Sequence, residues 1–145
     1  MTRFDGLLLA GIALAAASCG GDSTAPTSLE GTYTLVSENG VPLPSDHGAP
    51  SGCCLTLSGS VTFTATTYDL GTSHRNKNNG LTFDVAEQGT YVREGDMLHF
   101  TRTGGQGEFA YALGPGTVSP DGRTVTLPYG DEGPGSNQIR ATFRR

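Results

Sequence analysis

Downstream of residue 28 the apolar side chains recur at every second position, in short runs separated by glycine, asparagine and proline. A period of two places successive side chains on opposite faces of an extended chain, whereas a helix needs apolar spacings of three and four. The first run sets the pattern. Tyr33 and Leu35 share one face, Thr32, Thr34 and Val36 share the other, Glu38-Asn39-Gly40 turns the chain, and Pro42 and Pro44 stiffen its exit. The loop 44–52 follows.

The same grammar predicts further strands at Cys53–Leu57, Val61–Leu70, Leu81–Tyr91, Met97–Arg102, Glu108–Leu113, Thr124–Tyr129 and Asn137–Arg144, after a first one at Leu29–Ser37. Ser58-Gly59-Ser60 reads as a turn, and a change of phase at Thr66-Thr67 reads as a β-bulge inside the third strand. Each run is apolar on one face only, which fits an antiparallel sheet with one buried side. About eight strands joined as consecutive hairpins leave two raw edges unless the first strand meets the last. The expected fold is therefore all-β: an eight-stranded antiparallel up-and-down β-barrel, with a sandwich as the runner-up.

Composition bounds the partners. The chain is rich in glycine (22), lacks tryptophan and carries a formal charge of −5. A mildly acidic surface gives no grip on phosphate, so nucleic acid is not an expected partner. Arg140, Arg144 and Arg145 form the one basic cluster and have no interleaved aromatics.

The first residues carry an address. Arg3 precedes an apolar, small-residue run over Gly6–Ala17, too short to span a bilayer but suited to the core of a signal peptide. Ala16, Ala17 and Ser18 stand before Cys19, and Gly20 follows it. This resembles the bacterial lipobox, in which the cysteine is lipidated and becomes the new N-terminus, although Ala16 stands where a leucine is usual. Ordinary cleavage after Ala17 or Ser18 is the plainer alternative. The organisation expected is a lipoprotein signal peptide over 1–18, a flexible tether over 19–28 and a barrel domain over 29–145. Several acyl chains on Cys19 hold a protein on a membrane durably, where one does not. The expected location is the bacterial cell envelope, the outer membrane being favoured, with the barrel in the periplasm or outside the cell and free to rotate on its tether.

Gly31-Thr32-Tyr33-Thr34-Leu35, followed by Asn39-Gly40 and Pro42-Leu43-Pro44, resembles the opening of bacterial lipocalin-like lipoprotein domains, a calycin-type small β-barrel. Ser58-Gly59-Ser60-Val61, Gly89-Thr90-Tyr91 and the terminal Phe143-Arg144-Arg145 extend the likeness across most of 29–145. In the wider lipocalin group a tryptophan on the first strand packs against a basic residue near the last. The resemblance implies that Tyr33 takes the tryptophan's place and that Arg140 or Arg144 supplies the cation. It implies no substrate.

Candidate chemistry is sparse. Cys53 and Cys54 are adjacent, and neighbouring Cα atoms lie about 3.8 Å apart, shorter than the usual disulfide span of roughly 4.4–6.8 Å. A vicinal disulfide and two separate thiols both remain open, as does a redox or metal role with His47 or His74, although no recognised ligand spacing supports the last. His99 shares a face with Met97 and Thr101 and is expected to be exposed. Asp84, Glu87, Glu94, Asp96, Asp121, Asp131 and Glu132 read as solvated turns or outer faces. The glycine-rich stretches 104–107 and 130–135 precede strands, so they are hairpin loops and not phosphate cradles. No nucleophile and base stand in a recognisable pattern, so no enzyme and no cofactor are expected.

The inward aromatic set is the main constellation: Tyr33, Phe63, Phe83, Tyr91, Phe100, Phe109, Tyr111 and Phe143. These rings either line a cavity for a small hydrophobic ligand or fill the barrel, since an eight-stranded interior is just wide enough for side chains to occupy. The expected function is a lipid-anchored barrel that binds a small hydrophobic molecule near the loop 44–52. The alternative is a solid-core barrel acting through a protein partner, as inhibitor-like barrels do.

Overall fold

The computed structural model describes residues 27–46, 53–106, 114–129 and 139–145. Among them run nine strands: β1 (Gly31–Glu38), β2 (Val41–Pro42), β3 (Cys54–Phe63), β4 (Thr67–Asn76), β5 (Thr82–Glu94), β6 (Met97–Gln106), β7 (Gly116–Val118), β8 (Thr124–Tyr129) and β9 (Ile139–Arg144). All pairings are antiparallel, and the spatial order β2-β1-β3-β4-β5-β6-β7-β8-β9 is closed by β1 on β9. Eight strands thus make an up-and-down barrel, and β2 is a short extra strand folded back on the end of β1. Closure removes the raw edges that a meander would otherwise expose.

Two ends follow from the registers. Gly31 opposes Phe63, Glu94 opposes Met97, and Thr124 opposes Arg144, so the turns after β3, β5 and β7 gather at one end with the start of β1. We call this the closed end. Glu38 opposes Ala141, Cys54 opposes Asn76, Arg75 opposes Thr82, and Tyr129 opposes Ile139 at the other end, the mouth.

Two local expectations are corrected. Ser58-Gly59-Ser60 is not a turn: β3 runs straight through it, with a register shift between Thr56 and Ser58. Gly59 is there because the barrel is crowded. A Cβ on it meets Thr72 Cγ2 at 2.9 Å and Leu35 Cδ2 at 3.1 Å, and glycine within a strand often marks such a bulge or close approach. Conversely, the supposed bulge at Thr66-Thr67 is the β3–β4 turn. Thr64 Oγ1 accepts the amides of Thr66 and Thr67, and the Thr64 amide donates to Thr67 O at 2.9 Å. A turn built by a threonine hydroxyl needs no glycine or proline, which is why composition hides it. The expected strand Glu108–Leu113 lies outside the described residues.

Leu127, Ile139 and Ala141 carry the core toward the mouth, and its rings gather in the closed half. Leu29, Tyr33, Leu35, Val61, Phe63, Tyr68, Leu98, Val125 and Phe143 are buried there in one cluster, with Tyr91 and Phe100 packed against it. Each fully buried side chain of this size contributes roughly 1.5–3 kcal/mol from apolar burial, before the entropy of ordering the chain is set against it. The rings interlock edge to face: Tyr33 on Phe63 at 5.7 Å, Phe63 on Tyr91 at 5.1 Å and Tyr68 on Phe100 at 5.0 Å between centroids.

A plug seals this end. Arg145 places its guanidinium 5.2 Å from the centre of the Tyr33 ring. It donates to the carbonyls of Glu30 and Ser28 at 3.0 and 3.1 Å. The cation over Tyr33 is therefore Arg145 rather than Arg140 or Arg144. Strand parity explains the change: Arg140 and Arg144 are exposed on β9, whose inward positions are Ile139, Ala141 and Phe143. Arg145, beyond the last pair, is free to curl over the end.

Candidate functional site

The mouth half is built differently from the closed half. Beside the apolar Val85, Leu127, Ile139 and Ala141, its inward positions carry Glu38, Ser45, Thr56, Thr72 and His74, all buried. These polar residues join in one line across the wall. Ser45 donates its hydroxyl to Glu38 Oε2. The Ser45 backbone is bridged to Thr56 by two hydrogen bonds of 3.0 and 2.9 Å. Thr56 Oγ1 lies 3.3 Å from His74 Nδ1, and Thr72 Oγ1 lies 2.8 Å from His74 Nε2. Phe83 on β5 stacks on the imidazole at 5.3 Å and 21°.

Local structure puts each of these in place. Thr72 and His74 are two apart on β4, so they share the inner face with Tyr68 and Leu70. Phe83 is the cross-strand partner of His74 on one side, and Thr56 is its partner on the other. Glu38 turns inward opposite Ala141 after the register shift between Leu35 and Ser37. Ser45 reaches the line through the β2 hairpin, beyond the cis Leu43–Pro44 peptide. Burial holds the His74 imidazole below its ordinary pKa, against a weaker opposite pull from Asp84. At neutral pH the ring is therefore neutral, with one nitrogen donating and the other accepting.

A second polar group separates the halves. Tyr68 donates its hydroxyl to Glu87 Oε1 at 2.7 Å, and Arg102 Nε stands 3.7 Å from Glu87 Oε2. Burial first, then the hydrogen bond and charge of Glu87, push the Tyr68 phenol far above its usual range. Glu87 overturns the expectation of a solvated carboxylate. It shares the inner face of β5 with Val85 and is 2% exposed.

The sequence-singled residues fall into separate groups. Tyr33, Phe63, Tyr91 and Phe100 come together with Tyr68, and Phe143 is buried in the same core. Phe83 packs against the same core from the mouth side, where it stacks on His74. Phe109, Tyr111, Cys19 and His47 lie outside the described residues. Cys53 and Cys54 are joined in a vicinal disulfide at the start of β3, and Cys54 points inward on the same face as Thr56. His99 is exposed, 3.7 Å from Glu94. Among the described residues no three His, Cys, Asp or Glu side chains converge as a metal site.

Outside the barrel, the wall of β3, β4 and β5 carries a depression of about 570 Å³. Ser60, Gly71, Ala86 and Gly105 line it with side chains small enough to leave the sheet bare, together with the longer Asp69 and Gln88. Comparison with family models, with characterised proteins and with solved structures finds no match. What stands is the architecture, a closed eight-stranded antiparallel barrel compatible with a lipocalin-like fold.

Proposed function

We propose that this is a lipid-anchored envelope protein whose barrel binds a small molecule through its mouth half, with Cys19 as the site of lipid attachment. The observation that carries the reading is the buried line Glu38–Ser45–Thr56–His74–Thr72 with Phe83 stacked on it. Burying polar groups costs free energy that hydrogen bonds within the protein only offset. The closed half shows that this chain can fill a barrel with rings and aliphatic groups. Polar residues in the mouth half are thus a feature that packing does not require, and ligand sites combine apolar walls with a few placed polar groups.

This reading alters the expected ligand. A wholly apolar molecule suits interlocked rings that have no need of it; an amphipathic one suits Phe83 together with the hydroxyl and imidazole groups. Binding fits better than catalysis, because the Ser45 hydroxyl is directed to Glu38 and not to His74.

The test is native mass spectrometry of the acylated protein from its own host, compared with the denatured mass. A small adduct that leaves on denaturation, and that is lost from a folded Thr72→Val variant, is the expected result. A bare barrel with acyl mass alone overturns ligand carriage under that growth condition. The interlocked closed half and the bare outer wall favour a second reading, a solid barrel that docks a protein partner across Ser60, Gly71 and Ala86.

A further inference from the structure

We infer that the closed end of the barrel is its membrane-facing surface, so that the mouth points away from the bilayer into the aqueous compartment. This rests on the lipid-anchor reading of Cys19. What the structure adds is the place where the chain joins the barrel. Thr27–Glu30 does not hang free as a continuation of the tether; it lies across the closed end. Arg93 Nη1 donates to Thr27 O at 2.6 Å, Thr27 Oγ1 lies 3.4 Å from Pro120 O, and Arg145 holds the carbonyls of Ser28 and Glu30. Leu29 is 4% exposed within the core. The last two residues of the expected tether thus belong to the barrel.

Length then decides the orientation. From Cys19 to Thr27 is eight residues, a reach of at most about 29 Å at full extension. A ten-residue strand such as β3 or β4, tilted as barrel strands are, gives a wall about 25 Å tall. To bring the mouth onto the bilayer, the tether must climb that whole height and round the barrel's flank. Nearly full extension costs it most of its conformational freedom. With the closed end down, the span required falls well short of that limit.

Charge does not oppose this. The closed end carries Arg93, Arg123, Arg144 and Arg145 against Glu30, Glu94, Asp96 and Asp121, so anionic headgroups meet a balanced surface. The connection 130–138, whose flanking residues Tyr129 and Ile139 sit at the mouth, adds Asp131 and Glu132 with no cation. Arg75, Lys77 and Arg140 stand at the same end, so charge is near balance at both ends and tether length, not charge, sets the orientation. A ligand of this barrel is accordingly exchanged with the aqueous side, or with a soluble partner, and not drawn from the lipids beneath.

The experiment uses the acylated full-length protein in phosphatidylethanolamine–phosphatidylglycerol vesicles containing a headgroup nitroxide. A fluorophore is placed at Ala65→Cys in the β3–β4 turn or at Leu81→Cys at the mouth; both positions are exposed. Several-fold stronger quenching at position 65 is expected, and inserting a 20-residue Gly-Ser segment after Cys19 should erase the contrast. Equal or stronger quenching at position 81 overturns the orientation, and a contrast that survives the long tether overturns the tether as its cause. Absence of acyl mass and failure to float with vesicles removes the anchor itself. Intact-mass measurement on the same sample tells that failure from the other two.

Discussion

The Arg145 guanidinium covers the Tyr33 ring at 5.2 Å while the Tyr33 hydroxyl donates to Gly122 O at 2.7 Å. One ring thus joins the first strand to the C-terminus on its face and to the β7–β8 turn at its tip. Cation–π contact contributes about 0.5–2 kcal/mol, and a net hydrogen bond about 0.5–1.5 kcal/mol. We expect Tyr33→Phe to cost about 1 kcal/mol and Arg145→Ala about 1–2 kcal/mol, with Arg145→Lys between wild type and Ala. Urea unfolding of the four proteins measures this. An Arg145→Ala midpoint equal to wild type would show that the plug adds nothing.

Gly89 and Gly71 make a matched pair of glycines on neighbouring strands. A Cβ on Gly89 runs into Thr101 O and comes within 2.8 Å of Tyr68 Cε1, whereas one on Gly71 meets nothing within 4 Å. Overfilling a packed site costs about 1–3 kcal/mol. Gly89→Ala should lose that much, and Gly71→Ala should be within about 0.5 kcal/mol of wild type. Comparable losses in both would refute the packing account.

Much of this fold was open to reading in the alternation alone. Tyr33, Leu35, Phe83, Val85, Leu127, Ile139 and Phe143 fall on the inner face that their parity assigns, and hairpin-by-hairpin closure follows from turn spacing. The mouth site was not legible, for identifiable reasons. Past Leu70, the inward positions of β4 are Thr72 and His74, so the apolar signal that defines a strand stops while the strand continues. Parity puts Glu87 inside with Phe83 and Val85, but the usual solvation of carboxylates argues the other way, and it takes partners such as Tyr68 and Arg102 to explain its burial. Thr64 turns the chain with a hydroxyl, and Arg145 lies beyond the last pair, where periodicity has nothing to say.

Burial raises the pKa of Tyr33, Tyr68 and Tyr91 above the ordinary value of 10.0, most of all for Tyr68 beside Glu87. A group with a raised folded pKa contributes stability that is complete below its unfolded pKa and is lost as pH rises through the folded value. Stability should therefore fall above about pH 10, the ordinary tyrosine value. Absorbance of phenolate at 295 nm should lag in the native protein and appear fully only on unfolding. Titration of all tyrosines near pH 10 in the folded state would contradict the buried Tyr68–Glu87 pair.

The Cys53–Cys54 bond gives a simple chemical expectation. Alkylation of the denatured chain without reductant should leave both residues unmodified, and prior treatment with a dithiol should add two labels to the peptide spanning them. Labelling of Cys53 or Cys54 without reductant, located by peptide mass, would remove the disulfide from the mouth.

His74 carries the last prediction. Its folded pKa lies below the ordinary 6.5 because the imidazole is buried between Thr56 and Thr72. Above pH 6.5 both folded and unfolded chains hold it neutral. As pH falls from there toward the folded value, the unfolded chain takes a proton that the barrel resists, so stability declines. Urea midpoints should drop between pH 7 and pH 5, and His74→Gln, which keeps a donor and an acceptor without titrating, should flatten that slope. A slope that persists in His74→Gln would mean that the imidazole is not held neutral at the mouth, and would take with it the pH dependence expected of any ligand bound there.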